Sequence, residues 1–581
     1  MEDVARPRSL SRITVGTNDS DADYMDAFDH VVYSDSLELL DTIREAQTTV
    51  NLFMNNEFEL AEERMAELAD KSMYHSMGYT FMVFVKAVMT VDKKDLEKAS
   101  DACKTALVVI EKFRQRRTLG ESLFGCSVKG RHLTDEEIHA ELVYAQVLLV
   151  KAVLAFFSDD NFASFIKGAL SIRTCYHTYR YCERLMNEPS IWVGRSEKVR
   201  AHFESGTRMG IGIFSLMISC LPSKVLKLLE VVGFTGDKEL GMSDICMASS
   251  MTGTLYSPMC KMTLLTWHLF ACYVLGTGKA DLRHCEQLMP SLVQMWPNGA
   301  IQLFLRARLL LVSSDIDAAI KYFNASIASQ SVYRQFHHGC YWELLFAHAY
   351  KREWTQCANY AQKLQKESKW SPSVYTYLLC IFFAADESVN EEKRNETIYA
   401  LASKVDGLRF RIAGKSIPIE KYCGRRAKRF LATKSLFFAH YEFVYFWNGF
   451  DIIGKNNRLM QPILEDMDRV WQSRKEKADL NDNCLYHFLR GVVLRHMGFL
   501  DMADKELHYV LEYEKDLTDF TYIPPNATYE LAIIQILRGN RPEAESLLSK
   551  ARSYKSYSLE NKLHFRIHSA MDTMGCRTPM N

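Results

Sequence analysis

The chain has 581 residues, 48% of them hydrophobic, and Lys plus Arg equal Asp plus Glu at 71 each. That content supports a large folded core. The even balance of charge leaves no global field to draw the chain to a phosphate backbone, so nucleic acid is excluded as a default partner.

Residues 1–22 are polar and aperiodic, with Arg6, Arg8, Ser9, Ser11 and Arg12 among them. They read as part of a disordered tail over residues 1–30, with a phosphorylatable tail as the sharper alternative. No apolar signal region opens the sequence, so no secretory route is expected.

A short pattern follows: a turn, an apolar residue, two further residues, a small one, then a continuing helix. It reads NEFELA to Ala61 and KDLEKA to Ala99, returns as SDIDAA to Ala319 and REWTQC to Cys357, and again as FLDMA to Ala503 and NRPEA to Ala544. Twelve residues before each small residue lie Thr49, Ala87, Ala307, Leu345, Gly491 and Ala532, and seven after lie Leu68, Ala106, Ser326, Leu364, Val510 and Ala551. Small residues on both helices let an antiparallel pair approach closely. This is the spacing of the tetratricopeptide repeat, with units 38 to 41 residues apart here instead of about 34. The clearest pairs occupy 43–112, 300–370 and 484–555.

Residues 134–290 and 373–480 lie between these pairs and read as helix hairpins whose signal has degenerated. Asp159-Asp160-Asn161 looks like a turn between one such pair. The longest apolar run, Leu142–Phe157, is broken by Gln146 and Lys151. It falls short of the roughly 20 residues that span a bilayer, so a buried helix is expected and no transmembrane segment. Gly206, Gly210 and Gly212 lie in no phosphate-loop spacing and follow no strand, so they predict a tight helix–helix contact. Prolines at 189, 222, 258, 290, 297, 372, 418, 524 and 525 are placed at helix starts or stops, and Gly233 and Gly236 at a turn. The basic run Arg425, Arg426, Lys428 and Arg429 reads first as a solvated helix face. A localisation signal or an anionic-lipid patch are its alternatives.

Chemistry-bearing clusters are few. In His337-His338-Gly-Cys340 adjacent residues cannot both face one ion on a helix, and no partner cluster exists. His284-Cys285 lacks an orienting third group. Glu62-Glu63 reads as a solvated helix face. The aromatic clusters Tyr176–Tyr181 and Tyr441–Phe450 have almost no Lys or Arg and suit core or partner pockets more than stacked bases. Fifteen cysteines form no CxxC pair and read as small buried hydrophobes in a reducing compartment. The Asn-x-Ser/Thr triplets at Asn324, Asn395 and Asn526 read as chance. No residue is assigned as catalytic, cofactor-binding or metal-ligating, and partner-binding residues are left unassigned.

The chain is therefore expected to be all-α: an irregular α-solenoid of antiparallel helix pairs, one continuous domain over 31–570 between the tail and a flexible end at 571–581. Solenoids of this kind generally bind rather than catalyse, with the concave face holding a peptide or a partner helix.

Longer strings carry a family resemblance: SMYHSMGYTF at Ser72–Phe81, the block Phe203–Gly241, QFHHGCYWELL at Gln335–Leu345, ESKW at Glu367–Trp370, RIAGKSIPIEK at Arg411–Lys421, FWNGF at Phe446–Phe450 and SYSLENKLHFRIHSA at Ser556–Ala570. In that order they resemble the tetratricopeptide repeat protein 39 family over roughly residues 37–570. Ser205-Gly206, where relatives carry two glycines, and Gly424 depart from its pattern. The resemblance implies a helical, cytoplasmic, non-enzymatic scaffold or adaptor for protein partners, needing no cofactor and transferring no site residue. It also implies a setting in lipid or sterol homeostasis or in regulated protein turnover. A peripheral lipid- or lipid-droplet-associated binding protein is the alternative. Gln335–Trp342 and Arg411–Lys421 become surface candidates on the same ground.

Overall fold

The computed structural model describes residues 38–115, 132–155, 162–219, 237–276, 280–412 and 415–575. The tail over 1–30, the turn at 159–161, Pro222, Gly233 and Gly236 lie outside these residues.

Helix hairpins follow one another along the chain. The first two are α1 (Leu39–Met54) with α2 (Phe58–Glu67) and α3 (Met73–Thr90) with α4 (Lys93–Glu111). The stretch without a clear repeat also folds as hairpins. It contains α5 (Asp135–Ala155), α6 (Phe162–Asn187), the short α7 (Pro189–Trp192), α8 (Glu197–Ser219) and α9 (Lys238–Ser250). Then α10 (Ser257–Thr266) runs through a π-turn at Trp267–Ala271 into α11 (Cys272–Leu275), and α12 (Leu282–Met295) follows. Three regular hairpins come next: α13 (Ala300–Val312) with α14 (Ile316–Ala328), α15 (Gln335–Tyr350) with α16 (Trp354–Glu367), and α17 (Pro372–Ala385) with α18 (Glu391–Val405). Among the described residues the one departure from helix is a two-residue antiparallel ladder, β1 (Arg411–Ile412) with β2 (Lys415–Ser416). The chain continues through α19 (Pro418–Thr433), α20 (Ala439–Phe446), α21 (Gly449–Ile453) and α22 (Asn457–Arg474). It ends with α23 (Leu480–His496) and α24 (Leu500–Glu512), α25 (Ile523–Leu537) and α26 (Arg541–Ser553), and α27 (Glu560–Thr573).

The six small residues of the repeat, Ala61, Ala99, Ala319, Cys357, Ala503 and Ala544, are all fully buried. So are Ala87, Ala307 and Ala532 on the preceding helices. The second helix of each regular unit buries a narrow stripe, such as Ile316, Ala319, Phe323 and Ser326 on α14 or Ala503, Leu507 and Val510 on α24. The 3–4 spacing puts these on one face and leaves the other in water. Because the stripe closes directly on the partner helix, a larger residue has no room. Ala319→Leu should cost about 1–3 kcal/mol, read as a lower urea midpoint; an unchanged midpoint would show that the helices do not approach here as described.

Five of the six repeat turns share a local mechanism that the repeat pattern only hinted at. Five residues before the small residue, Asn56, Ser314, Arg352, Gly498 and Gly539 take left-handed φ between 60° and 88°. The next backbone N–H reaches back to the carbonyl five positions earlier: Asp315 to Leu310, Glu353 to His348, Phe499 to Leu494 and Asn540 to Gln535, at 2.9–3.0 Å. This is a Schellman stop. The same residue then stands as N-cap of the second helix, and Asp315 also accepts from Ala318 N at 3.2 Å. One residue closes one helix and opens the next, which keeps the hairpin tight.

The glycines of α8 make the expected close contact. A Cβ at Gly206 would stand 2.6 Å from the Tyr256 ring, one at Gly210 would meet the Tyr179 ring, and one at Gly212 would meet Ile245. Two expectations change. Pro290 lies inside α12, and neither starts nor stops a helix. The apolar run after Leu142 belongs to α5, a helix of 21 residues and thus long and apolar enough to cross a membrane. However, 61% of its most apolar window is buried inside the protein. Its Glu141 pairs with Arg114 at 3.0 Å and its His139 bonds Tyr74 at 2.7 Å, the contacts of a core helix.

The largest departure concerns the inner face. The first helices α15, α17, α23 and α25 are buried all round. The sides they turn away from their own partners are covered by α20 and α21. Trp447 lies 4.8 Å from Trp342 and 5.8 Å from Phe346 between ring centres, and Phe443 stacks on Phe346. Along this part of the chain, what would be a concave groove is core.

The ends close back as well. Trp296 Nε1 donates to Asn51 at 3.0 Å, and Asn56 donates to Asn298 O and accepts from Ala300 N, both at 2.9 Å. Phe58 packs between Tyr333 and Phe336, and Lys369 pairs with Asp92 at 2.7 Å. At the other end Asn448 donates to Tyr273 O and Lys562 to Val274 O.

Candidate partner-binding surface

With the inner faces of α15, α17, α23 and α25 filled, the outer surface of this part of the chain is what stands open to a partner. The clearest built feature there surrounds the first turn of α19. Pro418 opens that helix, as its fixed φ and missing N–H suit the first helical position. Glu420, fully buried in that turn, accepts from Ser371 Oγ at 2.5 Å and from Phe410 N at 2.7 Å. One carboxylate thereby fixes the segment before α17 and the strand-bearing loop before α19. The favourable end of the α19 dipole supports its charge. Beside these anchors Trp370, Leu408 and Phe410 stay 39–41% exposed. Scattered exposed apolar residues need no explanation, and these three stand out only because Glu420 fastens the chain at 371 and at 410 beside them.

The basic run on α19 divides. Arg426 and Arg429 are buried, which corrects the expectation of a solvated face. Arg426 pairs with Glu442 at 2.8 Å, and Arg429 bridges Asp479, Asp482 and Asp519. The helical period separates these from Lys421, Arg425 and Lys428, which are exposed along one outer line. Lys428 pairs with Asp406 at 2.9 Å, the same carboxylate that holds Arg409. Arg425 donates to Ser558 Oγ at 3.1 Å. Among the described residues no carboxylate comes within ion-pair distance of Lys421 or Arg425.

The other sequence candidates form no common site, and most are buried or half-buried. His337 places Nε2 2.9 Å from Gln330 O, Cys340 lies 3.5 Å from Ser326 Oγ, and His338 approaches Glu367 at 3.8 Å, so the cluster faces three directions. Burial pushes the Cys285 thiol up to about 12, while the neighbouring His284 ring faces His268. Glu62 pairs with Lys98 at 2.7 Å. Tyr441, Phe443, Tyr445, Phe446 and Phe450 are all buried, as are Tyr179 and Tyr181. Asn324 lies within α14, and Asn526 is buried with both amide ends bonded. Among the described residues no group of three or more His, Cys, Asp or Glu could hold a metal ion. A cavity of about 310 Å³ between α6, α8 and α9 is walled by Tyr176 and Phe214 and rimmed by Arg180, Glu183, Asp237 and Asp244. Arg180 is paired to Glu183 and Asp244 to Arg208, and Asp237 caps α9 by accepting from Glu239 N and Leu240 N.

Sequence reasoning reached Arg411–Lys421 as a surface candidate but missed Trp370, Leu408 and Phe410, all of which lie outside it. The helical period of α19 could have separated Arg426 and Arg429 from Lys421, Arg425 and Lys428.

Comparison with known proteins adds the following. A family model described as Iml2/Tetratricopeptide repeat protein 39 matches residues 47–497. The Caenorhabditis elegans protein named tetratricopeptide repeat protein ttc-39B is 68% identical over 580 residues, covering 100% of this chain and of that protein. Among solved structures, one chain of the APC/C hetero-tetramer Cut9–Hcn1 is 11% identical, with 92% of this chain and 96% of that chain covered at a TM-score of 0.24. Yeast Tom70 is also 11% identical, with the same coverage and a TM-score of 0.27. At such TM-scores neither likeness carries an argument about this chain.

Proposed function

The chain belongs to the Iml2/tetratricopeptide repeat protein 39 family, and from that premise we propose that it is a non-enzymatic scaffold or adaptor, acting in the cytoplasm by binding protein partners on the outer face of its helical repeats. The observation that carries this reading is the exposure of Trp370, Leu408 and Phe410 beside the bonds by which the buried Glu420 fastens Ser371 and Phe410 N. Apolar side chains on a fixed frame lose little entropy on binding, which favours a partner interface. The buried thiols and the divergent histidines support a binding role over a catalytic one. The family resemblance supports a setting in lipid or sterol homeostasis or regulated protein turnover.

Direct lipid binding is the weaker reading, because Arg426 and Arg429, half of the basic run that would meet headgroups, are turned into the core. Affinity purification of the tagged full chain should return a reproducible protein partner in near-stoichiometric amount. Recovery of the same proteins by an untagged control would remove the support for this role.

A further inference from the structure

We propose that the exposed apolar side chains of Trp370, Leu408 and Phe410 and the basic line on α19 together bind an acidic peptide segment of a protein partner that carries an apolar anchor at one end. The inference deepens the scaffold reading and rests on it. Lys421, Arg425 and Lys428 recur at i, i+4 and i+7, so they rise along one side of the helix in steps of about 6 and 4.5 Å. An extended peptide repeats its side chains on one face every 6–7 Å or so. Carboxylates at alternate positions therefore come within reach of each cation in turn. The helix is fixed from behind by Tyr422, Cys423, Arg426, Arg429 and Phe430, all buried, so the backbone that carries these cations is in place before a partner arrives.

Charge complementarity selects the occupant. Lys428 and Arg409 share one carboxylate, Asp406, while Glu420 is turned inward onto Ser371 and Phe410 N, so the positive charges of Lys421 and Arg425 stay uncompensated among the described residues. The basic line starts at Lys421, next to Glu420, whose carboxylate holds Ser371 and Phe410 N and so brings the chain at 370–371 and at 410 to the same helix start. An anchor such as Phe or Leu would bury against the apolar side chains there, just beyond the last carboxylate. An anionic membrane is a poorer match. Recruitment to one takes clusters of roughly four to eight basic residues, whereas Lys428 and Arg409 already share Asp406 here and only Lys421 and Arg425 stay uncompensated.

The test uses the full chain and a labelled peptide with Glu at every second position and Phe-Leu at one end. A Gln-for-Glu peptide and phosphatidylserine vesicles are the comparison probes. The wild-type chain should bind the Glu peptide with an affinity that falls as salt rises, and the Gln peptide at least about tenfold more weakly. Lys421→Glu with Arg425→Glu should weaken the Glu peptide by about tenfold or more, and Phe410→Ser severalfold, with the urea midpoint unchanged since all three side chains are exposed. If the charge-reversed chain is unstable, Lys421→Gln with Arg425→Gln replaces it. No binding of the Glu peptide, equal binding of the Gln peptide, or equal binding by the charge variants overturns the proposal. So does binding to the vesicles in its place. Affinity purification with the same variant separates this from the scaffold reading. A partner recovered equally by wild type and variant removes the surface and leaves the scaffold, no partner with either removes the scaffold, and a partner lost only with the variant supports both.

Discussion

Replacing Glu530 by Gln is expected to destabilise the C-terminal half of the protein by about 3–5 kcal/mol. Glu530 is fully buried between two guanidiniums, Arg495 at 2.6 Å and Arg566 at 3.0 Å, and also accepts from Tyr445 Oη at 3.0 Å. Burial pushes its carboxyl up, but the two arginines outweigh burial and hold it below the usual value. The network joins α20, α23, α25 and α27 through one carboxylate. Its removal leaves two buried cations facing each other without a counter-charge, which costs far more than the pair itself contributes. The measurement is the urea midpoint, together with hydrogen exchange over α27, which should speed up as Arg566 loses its anchor. Glu514→Gln serves as the contrast, since Glu514 meets Tyr554 and Lys550 in a partly exposed pair. A Glu530→Gln midpoint no lower than that of Glu514→Gln would contradict the prediction.

Acid should weaken the N-terminal half through two neutral histidines. His139 donates from Nε2 to Val199 O at 3.1 Å and accepts at Nδ1 from Tyr74 Oη at 2.7 Å, while His202 Nδ1 accepts from Leu255 N at 3.1 Å. In both rings a nitrogen acts as acceptor, so a proton there would break a bond inside the core. Burial lowers His139 to about 3 and His202 to about 4, from an ordinary 6.5. The folded values lie below the unfolded one, so their contribution is complete above pH 6.5 and is lost as pH falls toward 4 and 3, while the unfolded chain takes up protons that the folded chain refuses. At pH 5 each has forfeited about 2 kcal/mol, from about 1.4 kcal/mol per pH unit. Urea unfolding at pH 7 and pH 5 should therefore differ by about 4 kcal/mol from these two groups. His139→Gln, which cannot titrate, should remove about half of that difference even though it lowers stability at pH 7. An unaltered pH dependence in the variant would mean that His139 is not held neutral by the fold.

The helical repeat was legible because its rule is local. A small residue where two helices touch constrains the chain within one turn, and all six such positions are buried as the spacing requires. The family strings were legible for the same reason, being continuous. What escaped is set by residues far apart in sequence. Nothing near Trp342 announces that Trp447 covers it, so the inner face looked like a groove when it is core. The division of Arg426 and Arg429 from Lys421 and Arg425 is periodic and could have been read. What the two buried arginines find inside could not, because Glu442, Asp479, Asp482 and Asp519 come from other helices. The anchoring beside the exposed Trp370 and Phe410 needed Glu420 to tie residues 371 and 410 together, a contact spanning almost fifty positions.

The pairing of Asn51 with Trp296, and of Asn448 and Lys562 with the backbone at 273–274, has a bearing on how this protein can vary. In an open stack each unit touches only its neighbours, so units can be gained or shed at modest cost. Here the seams join helices whose separation along the path is set by the number of units between them. One inserted hairpin would carry Trp296 away from Asn51 and slide Tyr333 off Phe58. Length is therefore under geometric control. Variation should accumulate as single substitutions and short loop changes.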